Sequence, residues 1–350
     1  MKLGVHIGYW GLGLTGEDQL AIVREAESLG YDSVWAAEAY GSDAATILAW
    51  LAGQTSTIKL ASGIFQMPGR SPAMTAMTAA TLDSLSGGRF RLGLGVSGPQ
   101  VSEGWHGVRF DKPLGRTREY VEIVRRALRR ERVSFAGQHY TLPLPDGPGK
   151  ALKLTVHPVR EHIPVYLAAV GPKNLEVAGE IADGWLAIFF SPRYAAESLA
   201  GIAAGRATVG KDLTGFDVVP TVPLSVGPDV AACAEPVRGY AALYVGGMGS
   251  REKNFYNALA RRMGYDEAAT EIQDRYLAKD IAGAMAAVPL DFLDETALLG
   301  PRERLAERMQ AYAETGVTTL TVAVFAASQP GRIEAIRTAA EALDLAGVGA

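Results

Sequence analysis

The stretch Ala61-Ser-Gly-Ile-Phe-Gln-Met-Pro68 decides how we interpret the fold of this chain. It follows the short apolar run 58–62, which is typical of a buried strand, and it precedes a helix predicted over 73–85. A strand that stops at glycine and turns through Phe-Gln-Met-Pro is typical of a bulge at the rim of a barrel. The same residues also suit an ordinary loop between a strand and a helix, so the rest of the chain has to decide.

Strand-like and helix-like segments alternate eight times along the sequence. The predicted strands cover 2–8, 31–37, 58–64, 89–95, 164–169, 184–189, 216–226 and 318–325. Strands that alternate with helices pair in parallel, and eight such units close into an α/β fold of the TIM (β/α)8 barrel type. We expect residues 1–350 to form a single domain with two insertions. One covers about 132–163 and has a hairpin over 133–141; the other covers about 246–313, within the mostly helical stretch 228–313.

Composition excludes several classes of function. The chain has 350 residues with 34 basic and 38 acidic side chains, a net charge of −4 that argues against a nucleic-acid partner. The single cysteine, Cys233, excludes an internal disulfide and a cysteine metal cluster, and the histidine spacing predicts no metal site. There is no apolar leader and no run of about 20 apolar residues, so we expect a cytoplasmic protein without a membrane partner.

Candidate functional residues gather where the predicted strands end, because active sites in such barrels lie at the carboxyl ends of the strands. Glu38 follows the second strand and either transfers a proton with a raised pKa or forms a rim ion pair. His6 ends the first strand and either faces the mouth or makes hydrogen bonds in the core. Tyr40, Trp105 and His106 are candidates for a substrate wall, although the last two also suit a simple cover of the barrel.

Two glycine-containing loops are candidates for cofactor binding. Gly93-Leu-Gly-Val-Ser-Gly98 matches GxGxxG, but we expect residues 99–104 to continue as loop, which disfavours a dinucleotide fingerprint. A rim loop in which Ser97 and Gly98 approach a ligand fits better. The run Ala168-Ala-Val-Gly-Pro-Lys-Asn174 ends a strand and begins a helix, so the amides of Lys173 and Asn174 should point outward, either for phosphate or as a simple cap.

Several runs together indicate a family. They are Gly30-Tyr-Asp-Ser-Val-Trp35, Ile58-Lys-Leu-Ala-Ser-Gly-Ile64, Leu82-Asp-Ser-Leu-Ser-Gly-Gly-Arg-Phe90, Leu92-Gly-Leu-Gly-Val-Ser-Gly-Pro99, Arg116-Thr-Arg-Glu-Tyr120 and Ala178-Gly-Glu-Ile-Ala-Asp-Gly-Trp185. Over nearly its whole length the chain resembles the bacterial luciferase-like family, in particular the branch of oxidoreductases that use the deazaflavin coenzyme F420.

The resemblance implies a barrel that holds its cofactor at the strand ends, and it suggests a homodimer. It implies a cis peptide bond between Gly63 and Ile64, with the bulge from Gly63 through Ile64 and Phe65 to Gln66 behind the deazaflavin ring. It also places Ala168, Ala169, Val170 and Gly171 near the phosphate of the cofactor. Some relatives carry Asp-His where this chain has Glu38-Ala39, which puts a sugar-phosphate dehydrogenase mechanism in doubt.

The predicted function is hydride transfer between coenzyme F420 and a small organic substrate. In this hypothesis Ser97, Gly98 and Gly171 hold the cofactor tail, whereas Glu38 and His6 handle the proton. One alternative is a monooxygenase that uses riboflavin phosphate (FMN) with oxygen, and another is a barrel that binds a cofactor without catalysis. The sequence does not determine the substrate.

Overall fold

The computed structural model describes residues 1–11 and 13–349. Its strands, in chain order, are β1 (Lys2–Gly8), β2 (Ser33–Ala36), β3 (Lys59–Ser62), β4 (Phe65–Gln66), β5 (Phe90–Gly95), β6 (Phe135–Ala136), β7 (Thr141–Leu142), β8 (Val165–Ala168), β9 (Gly184–Ile188), β10 (Asp217–Val226), β11 (Leu298–Gly300) and β12 (Thr319–Val324). Within the described residues, eight parallel strands pair in the closed order β1, β2, β3, β5, β8, β9, β10, β12 and back to β1. The predicted barrel is therefore confirmed.

Helices surround this barrel. They are α1 (Gly16–Ser28), α2 (Ala44–Ala52), α3 (Pro72–Leu85), α4 (Pro99–Gly104), α5 (Pro113–Leu128), α6 (Pro172–Ile181), α7 (Ala195–Thr208), α8 (Val230–Ala242), α9 (Phe255–Arg262), α10 (Asp266–Leu277), α11 (Ile281–Ala286), α12 (Leu290–Thr296), α13 (Arg302–Glu314) and α14 (Gln329–Ala346). Several begin where the sequence provides a cap, as Thr15 does in a reciprocal capping box with Asp18. Among the residues that the structure describes, no helix has the length and apolar composition needed to cross a membrane.

Apolar strand residues fill the space between the barrel and its helices. Val5, Leu60, Leu92 and Val322 are almost completely buried, as expected for parallel strands covered by helices. At the amino-terminal end of the barrel, a buried ion pair joins Asp32 before β2 to Arg91 in β5, with 2.7 Å between the charged atoms. This charge pair therefore lies at the end of the barrel opposite the one where active sites of such barrels are found.

The structure differs from the sequence-based expectations in two places. Residues 99–104 form the short helix α4 and not a loop, so that expectation was wrong. Strand β11, which pairs with the end of β10, was not anticipated. The expected hairpin is present, with Phe135 of β6 opposite Leu142 of β7. The single domain and the limits of its two insertions stay predictions.

Candidate active site

A cavity of about 1100 Å³ opens at the carboxyl ends of the barrel strands. Its walls come from the strand ends and from the segments that follow α4 and α8. Most residues predicted for the site line it: His6, Glu38, Tyr40, Gly63, Ile64, Gln66, Ser97, Gly98, Trp105, Ala168, Ala169, Val170 and Gly171. The structure therefore brings together side chains that are far apart in the sequence.

The bulge after β3 forms part of the cavity wall. The Gly63–Ile64 peptide bond is cis, as the resemblance implied. Ser62 fixes this segment, because its hydroxyl donates to the Gly93 carbonyl at 2.8 Å and accepts from the Gly93 amide at 2.9 Å. Glycine at position 95 leaves room for Ile64 in its present rotamer, because a Cβ atom there would lie 2.0 Å from Ile64 Cδ1. Close approach of β5 thus places the Ile64 side chain.

The Gln66 carboxamide joins three parts of the rim. It donates to the Ala39 carbonyl at 2.6 Å and accepts from the Ser97 hydroxyl at 2.9 Å. Ser97 has a left-handed φ of 61°, a conformation that few residues other than glycine adopt. The rim loops after β2, β3 and β5 are therefore held together by one side chain.

Two of the predicted site residues lie outside the cavity lining. Phe65 is fully buried, with the Arg70 guanidinium 4.6 Å from its ring centre and Phe90 6.1 Å away. The alternation of side chains along β4 turns Phe65 into the core and Gln66 toward the rim. His106 packs against Gly69, where a Cβ atom would lie 2.9 Å from the imidazole. Their predicted contacts with cofactor and substrate stay predictions.

Glu38 forms an ion pair with Arg70, with 2.8 Å between Oε2 and Nη2. The two side chains are only 11% and 13% exposed. The carboxylate also accepts a hydrogen bond of 3.2 Å from the Ala44 amide in the first turn of α2, a favourable place for a negative charge. This geometry matches the alternative of a rim ion pair, and the proton-transfer role of Glu38 stays a prediction.

The His6 ring is held by two backbone groups. The Gly8 amide donates to Nδ1 at 3.1 Å, which leaves the ring proton on Nε2, where it donates to the Gly63 carbonyl at 3.3 Å. Burial lowers the pKa of His6, although the hydrogen bond to Gly63 opposes the shift. The ring is therefore neutral at neutral pH, and it supports the bulge.

The loop after β8 leads into the amino-terminal end of α6. A Cβ atom at Gly171 would meet no atom within 4 Å, so the backbone here borders open space. The expectation that the Asn174 amide points outward was wrong, because it donates to the Gly171 carbonyl at 2.9 Å. Arg262 from α9 donates to the Val170 carbonyl at 3.0 Å and holds the loop from outside.

Comparison with known proteins assigns this barrel to a family. The model of the family described as luciferase-like monooxygenase matches residues 6–319. The chain belongs to this luciferase-like family.

Three relatives of this luciferase-like chain cover nearly all or most of it. It is 43% identical over 336 residues to Rv3520c of Mycobacterium tuberculosis, provisionally named a coenzyme F420-dependent oxidoreductase, covering 94% of this chain and 96% of the relative. It is 30% identical over 302 residues to the 5,10-methylenetetrahydromethanopterin reductase of Archaeoglobus fulgidus, covering 85% and 86%. The fold matches the coenzyme F420-dependent tetrahydromethanopterin reductase of Methanopyrus kandleri with a TM-score of 0.81 at 24% identity, covering 97% of each chain.

One wall of the cavity was not predicted from the sequence. Tyr240, Tyr244 and Tyr256 line it from α8, from a π-helical turn at Leu243–Gly247 and from α9. No motif marks these tyrosines in the sequence. The available signal was only their clustering within a helical stretch after the seventh strand of the barrel.

Proposed function

We propose that this protein is a coenzyme F420-dependent oxidoreductase that transfers a hydride between the deazaflavin and a small organic substrate. The observation that carries the proposal is the cavity of about 1100 Å³ at the strand ends, large enough for a tricyclic ring with a second molecule beside it. The names of the M. tuberculosis and A. fulgidus relatives support the choice of cofactor class.

The residues of the cavity fit an elongated ligand of this kind. Glycine at 98 and 171 leaves open space, since a Cβ atom at either position would meet nothing within 4 Å. Ala168 and Ala169 add only methyl groups to the same wall. These small residues thus leave room for a ligand next to the strand ends.

We assign the parts of the cofactor to the walls as the resemblance implies. The backbone from Gly63 to Ile64 would lie behind the ring, while Ser97, Gly98 and the loop from Ala168 to Gly171 would hold the tail. The bound coenzyme supplies or accepts a hydride at a carbon atom. His6 keeps the bulge in place through the Gly63 carbonyl. Phe110 and Phe255 both line the cavity, with 6.3 Å between their ring centres.

Titration of the cofactor-free protein tests the proposal. The fluorescence of coenzyme F420 should be quenched or shifted when the coenzyme binds. Its dissociation constant should be far below that of FMN. Tight binding of FMN together with substrate-dependent oxygen uptake, and no binding of coenzyme F420, would instead favour the monooxygenase alternative. Binding of coenzyme F420 without any turnover would favour the non-catalytic alternative.

The homodimer and the cytoplasmic location also remain proposals. Sedimentation equilibrium of the purified protein would decide the first. Fractionation of the producing cells would decide the second.

A further inference from the structure

The tyrosine wall consists of Tyr240, Tyr244 and Tyr256, and it lies across the cavity from the bulge. In the closed strand order, β3 and β10 are four positions apart in both directions, so they lie on opposite sides of the barrel. The bulge follows β3, whereas α8 and the π-helical turn follow β10. A flat ring that rests against the bulge would therefore turn its other face toward the tyrosine wall.

The tyrosine wall is tightly packed. The rings of Tyr240 and Tyr244 are 4.7 Å apart and those of Tyr244 and Tyr256 are 4.9 Å apart, measured between centres. Phe189 packs against all three rings, with 5.5 to 6.4 Å between ring centres. Such packing fixes the directions of the three hydroxyl groups, as a binding site requires.

One asparagine side chain holds the backbone segments that carry Tyr244 and Tyr256. Asn254, which is only 6% exposed, donates to the carbonyls of Tyr244 and Val245, each at 3.0 Å. Its side-chain oxygen accepts from the amides of Tyr256 and Asn257 at 2.9 and 3.0 Å. The side chain thus links the π-helical turn to the start of α9. Turns of this kind are frequent at functional sites.

The cavity offers little charge to a substrate. Among its described lining residues, the charged side chains are Glu38, which is paired with Arg70, and Lys173, which is 77% exposed and 3.0 Å from Glu176. His6 is neutral at neutral pH, because burial lowers its pKa. A phosphate or carboxylate facing the tyrosine wall would lose hydration without gaining a cationic partner.

The phenols of the tyrosine wall are hydrogen-bond donors at neutral pH. Burial raises the pKa of Tyr256 to about 12 and also raises that of Tyr240. Burial, followed by the neighbouring phenols of Tyr240, Tyr256, Tyr9 and Tyr40, raises the pKa of Tyr244 well above its usual value. Tyr244 thus lies near each of these four phenols. Of the four, Tyr40 is 58% exposed to water.

We propose that the tyrosine wall is the substrate subsite, that it accepts an uncharged carbonyl compound or the corresponding alcohol, and that the Tyr244 hydroxyl is the proton donor. The inference rests on the proposed function and specifies its substrate class and its acid. Glu38 and His6 are occupied by Arg70 and by two backbone groups, whereas Tyr244 lines the cavity.

In the reduction, the carbonyl carbon would gain a hydride, with its electron pair, from the reduced deazaflavin, which would thereby be oxidised. The π electrons of the C=O bond move to the oxygen, and that oxygen takes the phenolic proton of Tyr244. The phenolate then recovers a proton from water, with exposed Tyr40 nearby. Oxidation of the alcohol follows the same steps in reverse.

Binding of 4-dimethylaminocinnamaldehyde tests the subsite without turnover. The visible absorbance of this aldehyde shifts to longer wavelength when its carbonyl oxygen accepts a hydrogen bond. Protein loaded with oxidised coenzyme F420 should produce the shift, whereas Tyr244→Phe should lose most of it. Tyr140→Phe is the matched control, because this tyrosine lies on the hairpin and outside the cavity lining. A full shift in Tyr244→Phe would overturn the inference.

Turnover provides the second test. With reduced coenzyme F420, cyclohexanone or benzaldehyde should be reduced, whereas pyruvate and glucose 6-phosphate should not. Tyr244→Phe should lower kcat by about 10²- to 10⁴-fold, the usual contribution of a general acid, with the dissociation constant of the coenzyme unchanged. Wild-type turnover by Tyr244→Phe, or preference for the anionic substrates, would overturn the inference and leave the proposed function intact. Failure of the wild-type protein and of its variants to bind coenzyme F420 would overturn both the inference and the proposed function.

Discussion

Replacing Arg70 with methionine tests whether Glu38 is a structural ion-pair partner. The substitution removes the charge 2.8 Å from a carboxylate that is only 11% exposed. Breaking a buried pair on one side costs about 3–5 kcal/mol. Glu38 keeps its bond to the Ala44 amide, and methionine can keep apolar contact with Phe65, so we expect the lower end, about 3 kcal/mol.

The assay is thermal or urea unfolding of the purified protein. For a chain of this length, a loss of about 3 kcal/mol lowers the Tm by about 4 °C. The matched control is Arg118→Met, which removes a surface pair with Glu180 whose side chains are 42% and 28% exposed, and it should cost less than about 1 kcal/mol. The double variant Arg70→Met/Glu38→Gln should be more stable than Arg70→Met alone, because the buried Glu38 carboxylate is neutralised and the other partner of Arg70, Asp43, is 48% exposed to water.

Two results would refute this reasoning. Arg70→Met could destabilise the protein no more than Arg118→Met, or the double variant could show the sum of the two single effects. Turnover by Glu38→Gln separates stability from catalysis. A near-complete loss of kcat in a well-folded Glu38→Gln variant would restore the predicted role of Glu38 in proton transfer.

Three further predictions follow from the geometry. Gly171→Leu should leave the free energy of unfolding unchanged, because φ is −82° and the new side chain enters open space, but should weaken coenzyme F420 binding by about tenfold or more in the fluorescence titration. Burial opposes ionisation of Asp32, yet Arg91 and other basic neighbours outweigh this effect and lower the pKa of Asp32. The ionised Asp32 side chain therefore contributes its full stabilisation to the folded state above the unfolded pKa of about 3.9. That contribution is lost as the pH falls through the lower pKa of the folded state. Urea unfolding should accordingly show Asp32→Asn destabilised at about pH 7 and much less so at about pH 3. The lowered pKa of His6 predicts that its NMR signals, assigned by loss in His6→Gln, do not titrate between about pH 8 and pH 6.5; a midpoint in this range would contradict the fixed neutral ring.

The barrel could be predicted because its strands are short, apolar and separated by helices with clear caps. Asp43 before α2 and Ser71 before α3 mark where these helices begin, and their side chains accept the expected backbone bonds. Helix α4 could not be predicted, since its six residues begin after Gly98, end at Gly104 and carry no apolar periodicity. Strand β11 is only three residues long and depends on its pairing with β10.

The positions of most candidate site residues followed from the strand ends, but their contacts did not. The partner of Glu38 is Arg70, which lies 32 residues further along the chain and beyond the bulge. The hydrogen bonds of His6 depend on where β1 and the bulge come together. The tyrosine wall depends on a π-helical turn, which no local sequence pattern indicates, and on the hydrogen bonds that the α9 cap residue Asn254 donates to this turn.

A crystal structure of the protein with coenzyme F420 tests the central claim most directly. The deazaflavin ring should lie at the carboxyl ends of the strands, with the Gly63–Ile64 backbone behind one face and Tyr244 on the side of the other. Electron density for the ring at the amino-terminal end of the barrel, next to Asp32 and Arg91, or outside the cavity altogether, would contradict the account.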